Sequence, residues 1–132
     1  MININYINSL LKNSSFLRSS NVWVRFETGS IENLGSIESA SIEVDPNNGY
    51  NGYIKVYMNN PNMNHLNSII DISGNFFQTG YAPEIKIVKK FKYENTYMDL
   101  VIQYCGKNVI ADKSDKSIEF YYGINVSEST LI

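Results

Sequence analysis

Residues 84–104 read EIKIVKKFKYENTYMDLVIQY, and the way apolar and polar side chains take turns along this stretch decides the class of fold. Ile85, Ile87, Phe91 and Tyr93 fall on one side of 84–93, and Met98, Leu100, Ile102 and Tyr104 fall on one side of 97–105. A repeat of two is the period of a β-strand, whose successive side chains point to opposite faces. Glu94-Asn95 between the two runs is turn chemistry, and a link that short predicts antiparallel pairing, because parallel strands need a crossover of a dozen residues or so. Ile118, Phe120, Tyr122, Ile124 and Val126 repeat the pattern over 117–126 after the turn Lys113-Ser114-Asp115-Lys116. Val109 to Ala111 is read as a brief additional pairing segment.

Working back towards the N-terminus, Val22, Val24 and Phe26 alternate with Trp23, Arg25 and Glu27, which predicts another strand. Ala40, Ile42 and Val44 share a face, the cluster Asp45-Pro46-Asn47-Asn48-Gly49 predicts a hairpin turn, and Tyr53 to Met58 is the return strand. In that strand Ile54, Val56 and Met58 point inward and Tyr53, Lys55 and Tyr57 outward. The repeated Gly29-Ser30-Ile31-Glu32 and Gly35-Ser36-Ile37-Glu38 is read as a loop or short edge strand, since two six-residue copies cannot build a solenoid.

Two segments follow helical steps instead. Ile4, Ile7, Leu10 and Leu11 predict a short amphipathic helix within 2–12. Met63, Leu66, Ile69, Ile70, Phe76 and Phe77 predict a second, with Asn60 as N-cap, Pro61 at the first helical position, Gly74 as a weak point and Gly80 at the C-terminal end. The expected architecture is therefore one α+β domain over 1–132, of order α-β-β-β-α-β-β-β. It would have a single antiparallel sheet of about six strands and two helices on one face of it. The alternative is an all-β sandwich with short helices.

Composition narrows the function classes. Eleven basic and thirteen acidic side chains give a net charge of −2, which argues against whole-molecule attraction to nucleic acid. One cysteine excludes an intramolecular disulfide, and the N-terminus shows neither a basic segment followed by an apolar block nor any membrane-length apolar run. A cytoplasmic protein without membrane contact is the expectation. The Asn, Ile, Lys and Tyr bias is what AT-rich codons produce, and the Asn13 and Asn125 sequons are expected by chance in so asparagine-rich a chain.

Chemistry-bearing residues are sparse. His65 has no carboxylate three or four residues on, and Cys105, followed by Gly106 and Lys107, is read as a small apolar residue of the sheet. Asp99 falls on the polar side of its strand and is expected in solvent. No spacing of His, Cys or acids matches a metal site, so neither metal nor cofactor is expected and no catalytic residue is assigned.

Two surface features remain. Lys86, Lys90 and Lys92 alternate onto one side of 84–93, forming a stripe that either shields an edge strand, lies simply in solvent, or contacts nucleic acid. Trp23, Tyr53, Tyr57, Tyr97 and Tyr121 all point away from the core sets, and either the protein's own helices or a partner must cover part of that face. The expectation is a small non-enzymatic protein-binding domain that occludes or joins a partner protein, with self-association also open. Carbohydrate binding through aromatic platforms and nucleic-acid binding through the lysines are the alternatives. Proteins of this profile include phage- or mobile-element-encoded inhibitors and immunity proteins, and the element order is similar to that of phage tail-completion proteins, a structural role.

Overall fold

The computed structural model describes residues 3–73 and 83–129. Helix α1 (Ile4–Leu11) precedes strands β1 (Asn21–Arg25), β2 (Ile31–Asp45) and β3 (Asn48–Asn59); helix α2 (Met63–Ser73) precedes β4 (Glu84–Tyr93), β5 (Thr96–Asp112) and β6 (Ser117–Glu128). The order is the one read from the sequence. The sheet, however, closes on itself as an antiparallel barrel in the order β1-β2-β3-β6-β5-β4, neither opening flat under two helices nor splitting into a sandwich. Two long strands make closure possible. β2 pairs with β1 over 31–36 and with β3 over 36–45, β5 pairs with β4 over 96–103 and with β6 from Met98 to Asp112, and irregularities at Val22/Trp23, Ile37/Ser39 and Tyr104/Val109 add the local bend a closed sheet needs.

The inner wall carries the alternating apolar set. Val22, Val24, Ile54, Val56, Ile87, Leu100, Ile102, Ile118 and Phe120 are completely buried, so the barrel is a packed core. Helix α1 lies at the end where the β2–β3 and β4–β5 hairpins turn: Asn8 Nδ2 donates to the Gly49 carbonyl at 3.2 Å, and Tyr6 packs on Tyr93. Helix α2 packs on β5 and β2 at the other end, near Phe26 and Glu32. The helices are thus end caps, not a layer over one face.

The doubled Gly-Ser-Ile-Glu segment is mostly strand. Gly29, at φ +89°, turns the chain out of β1, and β2 is already paired from Ile31 onward. Gly35, at φ +148°, runs so close beneath the entry to α2 that a Cβ would stand 3.0 Å from Pro61 Cα. The repeat therefore reflects two different backbone demands. Asn60 takes a left-handed φ of 40° to leave β3, and the cap of α2 is Asn62, whose Oδ1 accepts the His65 N–H at 3.1 Å. The predicted helical positions Gly74, Phe76, Phe77 and Gly80 lie outside the described residues.

The topology exposes an internal repeat. Each half is α-β-β-β, each forms a three-stranded meander, and the halves join through β3–β6 and β1–β4, the arrangement a two-fold axis through those two seams would generate. The helices repeat in sequence as well. Asn3-Ile-Asn-Tyr-Ile-Asn-Ser-Leu-Leu11 aligns with Asn62-Met-Asn-His-Leu-Asn-Ser-Ile-Ile70, sharing the cap, two further asparagines and the serine, with apolar residues matched at every inward step. The shared residues have matching jobs. Asn3 caps α1 by accepting the Asn5 N–H at 2.7 Å, as Asn62 caps α2; Ser9 and Ser68 each donate back to a carbonyl of the preceding turn.

Candidate binding surfaces

Tyr53 and Tyr121 are directly opposite each other across the β3–β6 seam, on the outer wall, with ring centroids 4.9 Å apart in an edge-to-face arrangement. The next outward pair along the seam is Lys55 and Glu119, and the one after it is Tyr57 and Ser117. Lys55 Nζ lies 3.1 Å from Asp115 Oδ2 and 3.8 Å from Glu119 Oε2, and 5.1 Å above the Tyr57 ring. The Tyr53 hydroxyl donates to Glu119 Oε1, and burial together with that carboxylate pushes the Tyr53 pKa up. Its bond to Asp115, and then its contact with Tyr57, raise the Lys55 pKa. Tyr53 is held by Glu119 and Tyr57 by Lys55, while Ser117 Oγ is buried with no hydrogen-bond partner among the described residues and Tyr121 remains 48% exposed.

Beside the tyrosine pair runs an open groove of about 610 Å³ between Glu43, Asp45, Tyr53, Tyr121 and Cys105. Glu43 is the β2 neighbour of Tyr53, and Ile110, half exposed, is the β5 neighbour of Glu119. The surface thus combines exposed tyrosine and isoleucine side chains with the Lys55–Glu119 pair at its middle and further carboxylates at its border. A brief segment over Val109 to Ala111 leaves Ile110 off this face, whereas β5 continues through to Asp112 and brings it there.

The five outward aromatics do not converge. Tyr53, Tyr57 and Tyr121 share one face; Trp23, on β1, is across the barrel on the β1–β4 seam; Tyr97 sits by the β4–β5 hairpin with Lys92 Nζ 5.8 Å from its ring centroid. No described part of either helix lies over these faces, since both cap the barrel ends, and Trp23 and Tyr97 remain 39% and 49% exposed. Lys86, Lys90 and Lys92 all point outward as read, and Lys86 is the cross-strand neighbour of Trp23. Edge protection does not account for Lys86, because β4 is paired with both β1 and β5 there. Further along, Lys90 faces Asp99 across β5, and its Nζ donates to Ser129 Oγ at 2.9 Å.

Two other residues depart from expectation, and a third gains a partner from another element. Cys105 is exposed at the irregularity in β5 rather than buried as a small apolar residue, because that stretch swings out of register with β6. Asp99 is half-buried, wedged between Lys90 and Ser127 in register, instead of lying in open solvent. His65 is half-buried with Nε2 3.6 Å from Glu32 Oε2 and its ring 5.7 Å from that of Phe26; the carboxylate that helical spacing denied it comes from β2. Among the described residues no three His, Cys, Asp or Glu side chains gather closely enough to hold a metal ion, and no helix is long and apolar enough to cross a membrane.

The chain matches no protein-family model, no curated protein and no solved structure.

Proposed function

We propose that this chain is a small protein-binding domain, acting through the outer face of the β3–β6 seam to occlude or join a partner without chemical transformation. The reading is carried by one observation: Tyr53 and Tyr121 pack edge-to-face on a barrel wall, with Tyr57 on the same face beyond the Lys55–Glu119 pair, Tyr53 held by Glu119, Tyr57 by Lys55, and the ring of Tyr121 presented to solvent. Rigid aromatic side chains that give up little conformational freedom on contact are what binding hot spots are made of. The barrel supports the same reading, since side chains on paired strands are held more firmly than on loops.

Replacing Tyr121 with a photo-crosslinking phenylalanine analogue and irradiating the cells that make the protein tests the proposal. A discrete adduct with one protein species is the expected result. Absence of any protein adduct, together with retention on a glycan array, would replace it with carbohydrate recognition.

A further inference from the structure

The net charge of −2 conceals a separation. Glu43, Asp45, Asp115 and Glu119 border the tyrosine face, with Lys55 and the β5–β6 turn residues Lys113 and Lys116 among them, whereas the opposite β1–β4 seam carries Arg25 against Glu84 and Lys86 beside Trp23, and Lys90 and Lys92 continue the outward row of β4 opposite Asp99 and Tyr97 of β5. At the centre of this basic seam stands Trp23, the only tryptophan in the chain. It forms the wall shared by two grooves, one of about 450 Å³ shared with Arg25 and Lys86, the other of about 340 Å³ shared with Arg18, Lys89 and Lys90. The acidic group of the first groove, Glu84, is engaged by Arg25 Nε at 3.2 Å, which leaves Lys86 as its remaining cation beside the indole.

We propose that the β1–β4 face binds single-stranded nucleic acid, with a base stacked on Trp23 and the flanking phosphates held by Lys86 on one side and by Arg18 and Lys90 on the other. This site lies across the barrel from the tyrosine face and does not depend on it. Three features select a single strand over other polyanions. An exposed indole between two cation-lined grooves offers a stacking platform with phosphate contacts on either side, the arrangement by which strands are gripped without reading sequence. Outward residues two apart on a strand repeat at about 6.7 Å, which matches the rise of phosphates along an extended strand and places Lys90 and Lys92 in step with them. A duplex keeps its bases stacked within the helix, so the indole would find no free base face there.

Titration of the full-length protein with a ~12-nucleotide oligothymidylate at about 50 mM salt reads the contact directly, because stacking quenches the chain's one tryptophan. Saturable quenching is expected, with the association constant falling as roughly the second power of salt for about three neutralised phosphates. By mobility shift, Trp23→Ala should weaken binding at least roughly fivefold, the low end of what a lost stacked base costs. Lys86→Glu with Lys90→Glu should abolish the shift, and Lys86→Gln with Lys90→Gln serves if the reversed charges disturb folding. Tyr121→Ala should bind like the parent, which keeps this test separate from that of the tyrosine face. No quenching at low salt overturns the proposal. So does equal binding of polyglutamate, which would make the face a site for an acidic protein, or a shift that survives Trp23→Ala unchanged.

Discussion

Gly52 and Tyr122 are cross-strand neighbours on the inner wall, and the tyrosine ring fills the space a side chain at position 52 would need: a Cβ there would stand 2.7 Å from the Tyr122 hydroxyl and overlap the Glu43 carbonyl oxygen. An aromatic lying over a glycine on the adjacent strand restores apolar cover that the glycine lacks. The pair explains how the largest fully buried side chain of the barrel fits into so narrow a core. Because one of the two obstructing groups is main chain, Gly52→Ala cannot be relieved by a rotamer change. It should destabilise the protein by about 3 kcal/mol, the upper range for overpacking, seen as a lower urea midpoint with unchanged slope.

Tyr122→Phe should behave in the opposite way. The Tyr122 hydroxyl is buried and no hydrogen-bond partner for it is found among the described residues, so deleting it removes an uncompensated polar group and keeps the ring on Gly52. The variant should melt no lower than the parent and be up to about 1 kcal/mol more stable. A loss of more than that would mean the hydroxyl is satisfied in solution.

Alkaline pH should weaken the fold through the same residue. Burial pushes the Tyr122 pKa from 10.0 up to about 12, so the folded state holds its proton more tightly than the unfolded chain does. That contribution is complete below pH 10 and is lost as pH climbs from 10 towards 12. Burial and Glu119 move Tyr53 in the same direction. Melting temperature recorded from neutral pH upward should fall in this window, and fall less steeply in Tyr122→Phe.

At neutral pH Tyr53→Phe removes the hydroxyl that donates to Glu119 but leaves the ring against Tyr121. A stability loss of about 1 kcal/mol is expected, below the full value of a charge-assisted bond because the pair is only partly buried. Near-ultraviolet circular dichroism should change together with the urea midpoint if the bond is what holds the ring.

The repeated helix caps give an independent check on the two-half organisation. Asn3→Ala and Asn62→Ala each remove a side-chain acceptor for a helix N–H, and each should cost about 1 kcal/mol. The caps sit at opposite ends of the barrel, so the double variant should lose the sum within about 0.5 kcal/mol. A clearly smaller sum would show that one helix frays without affecting the rest.

Strand faces were legible because inner positions are apolar along most of each strand, even though Val88 and Ile110 face outward: Ile85, Leu100, Ile118 and Phe120 are buried where alternation places them. Closure was not, because alternation says which side of a strand meets the core and nothing about which strands meet each other. β1 and β4 are joined only through Val22 to Arg25 with Glu84 to Ile87, a contact no local pattern records. The outward direction of Tyr53 and Tyr121 could be read, while their adjacency required β3 to pair with β6. The same topology puts Trp23 on the far side and makes it the neighbour of Lys86, a pairing that no local pattern in either strand records. The helix repeat is written in the residues themselves, and the two α-β-β-β halves give it a topological counterpart.

The most direct test of the tyrosine face is quantitative capture of partner proteins from the organism that makes this chain, using in parallel the parent, Tyr121→Ala, Trp23→Ala and Tyr97→Ala, all first shown to melt alike. The account predicts one protein recovered in stoichiometric amount by the parent, Trp23→Ala and Tyr97→Ala, and reduced about thirtyfold in affinity by Tyr121→Ala, the loss of a hot-spot side chain worth about 2 kcal/mol. Recovery that is indifferent to Tyr121, or no stoichiometric protein with any of the four, would contradict it.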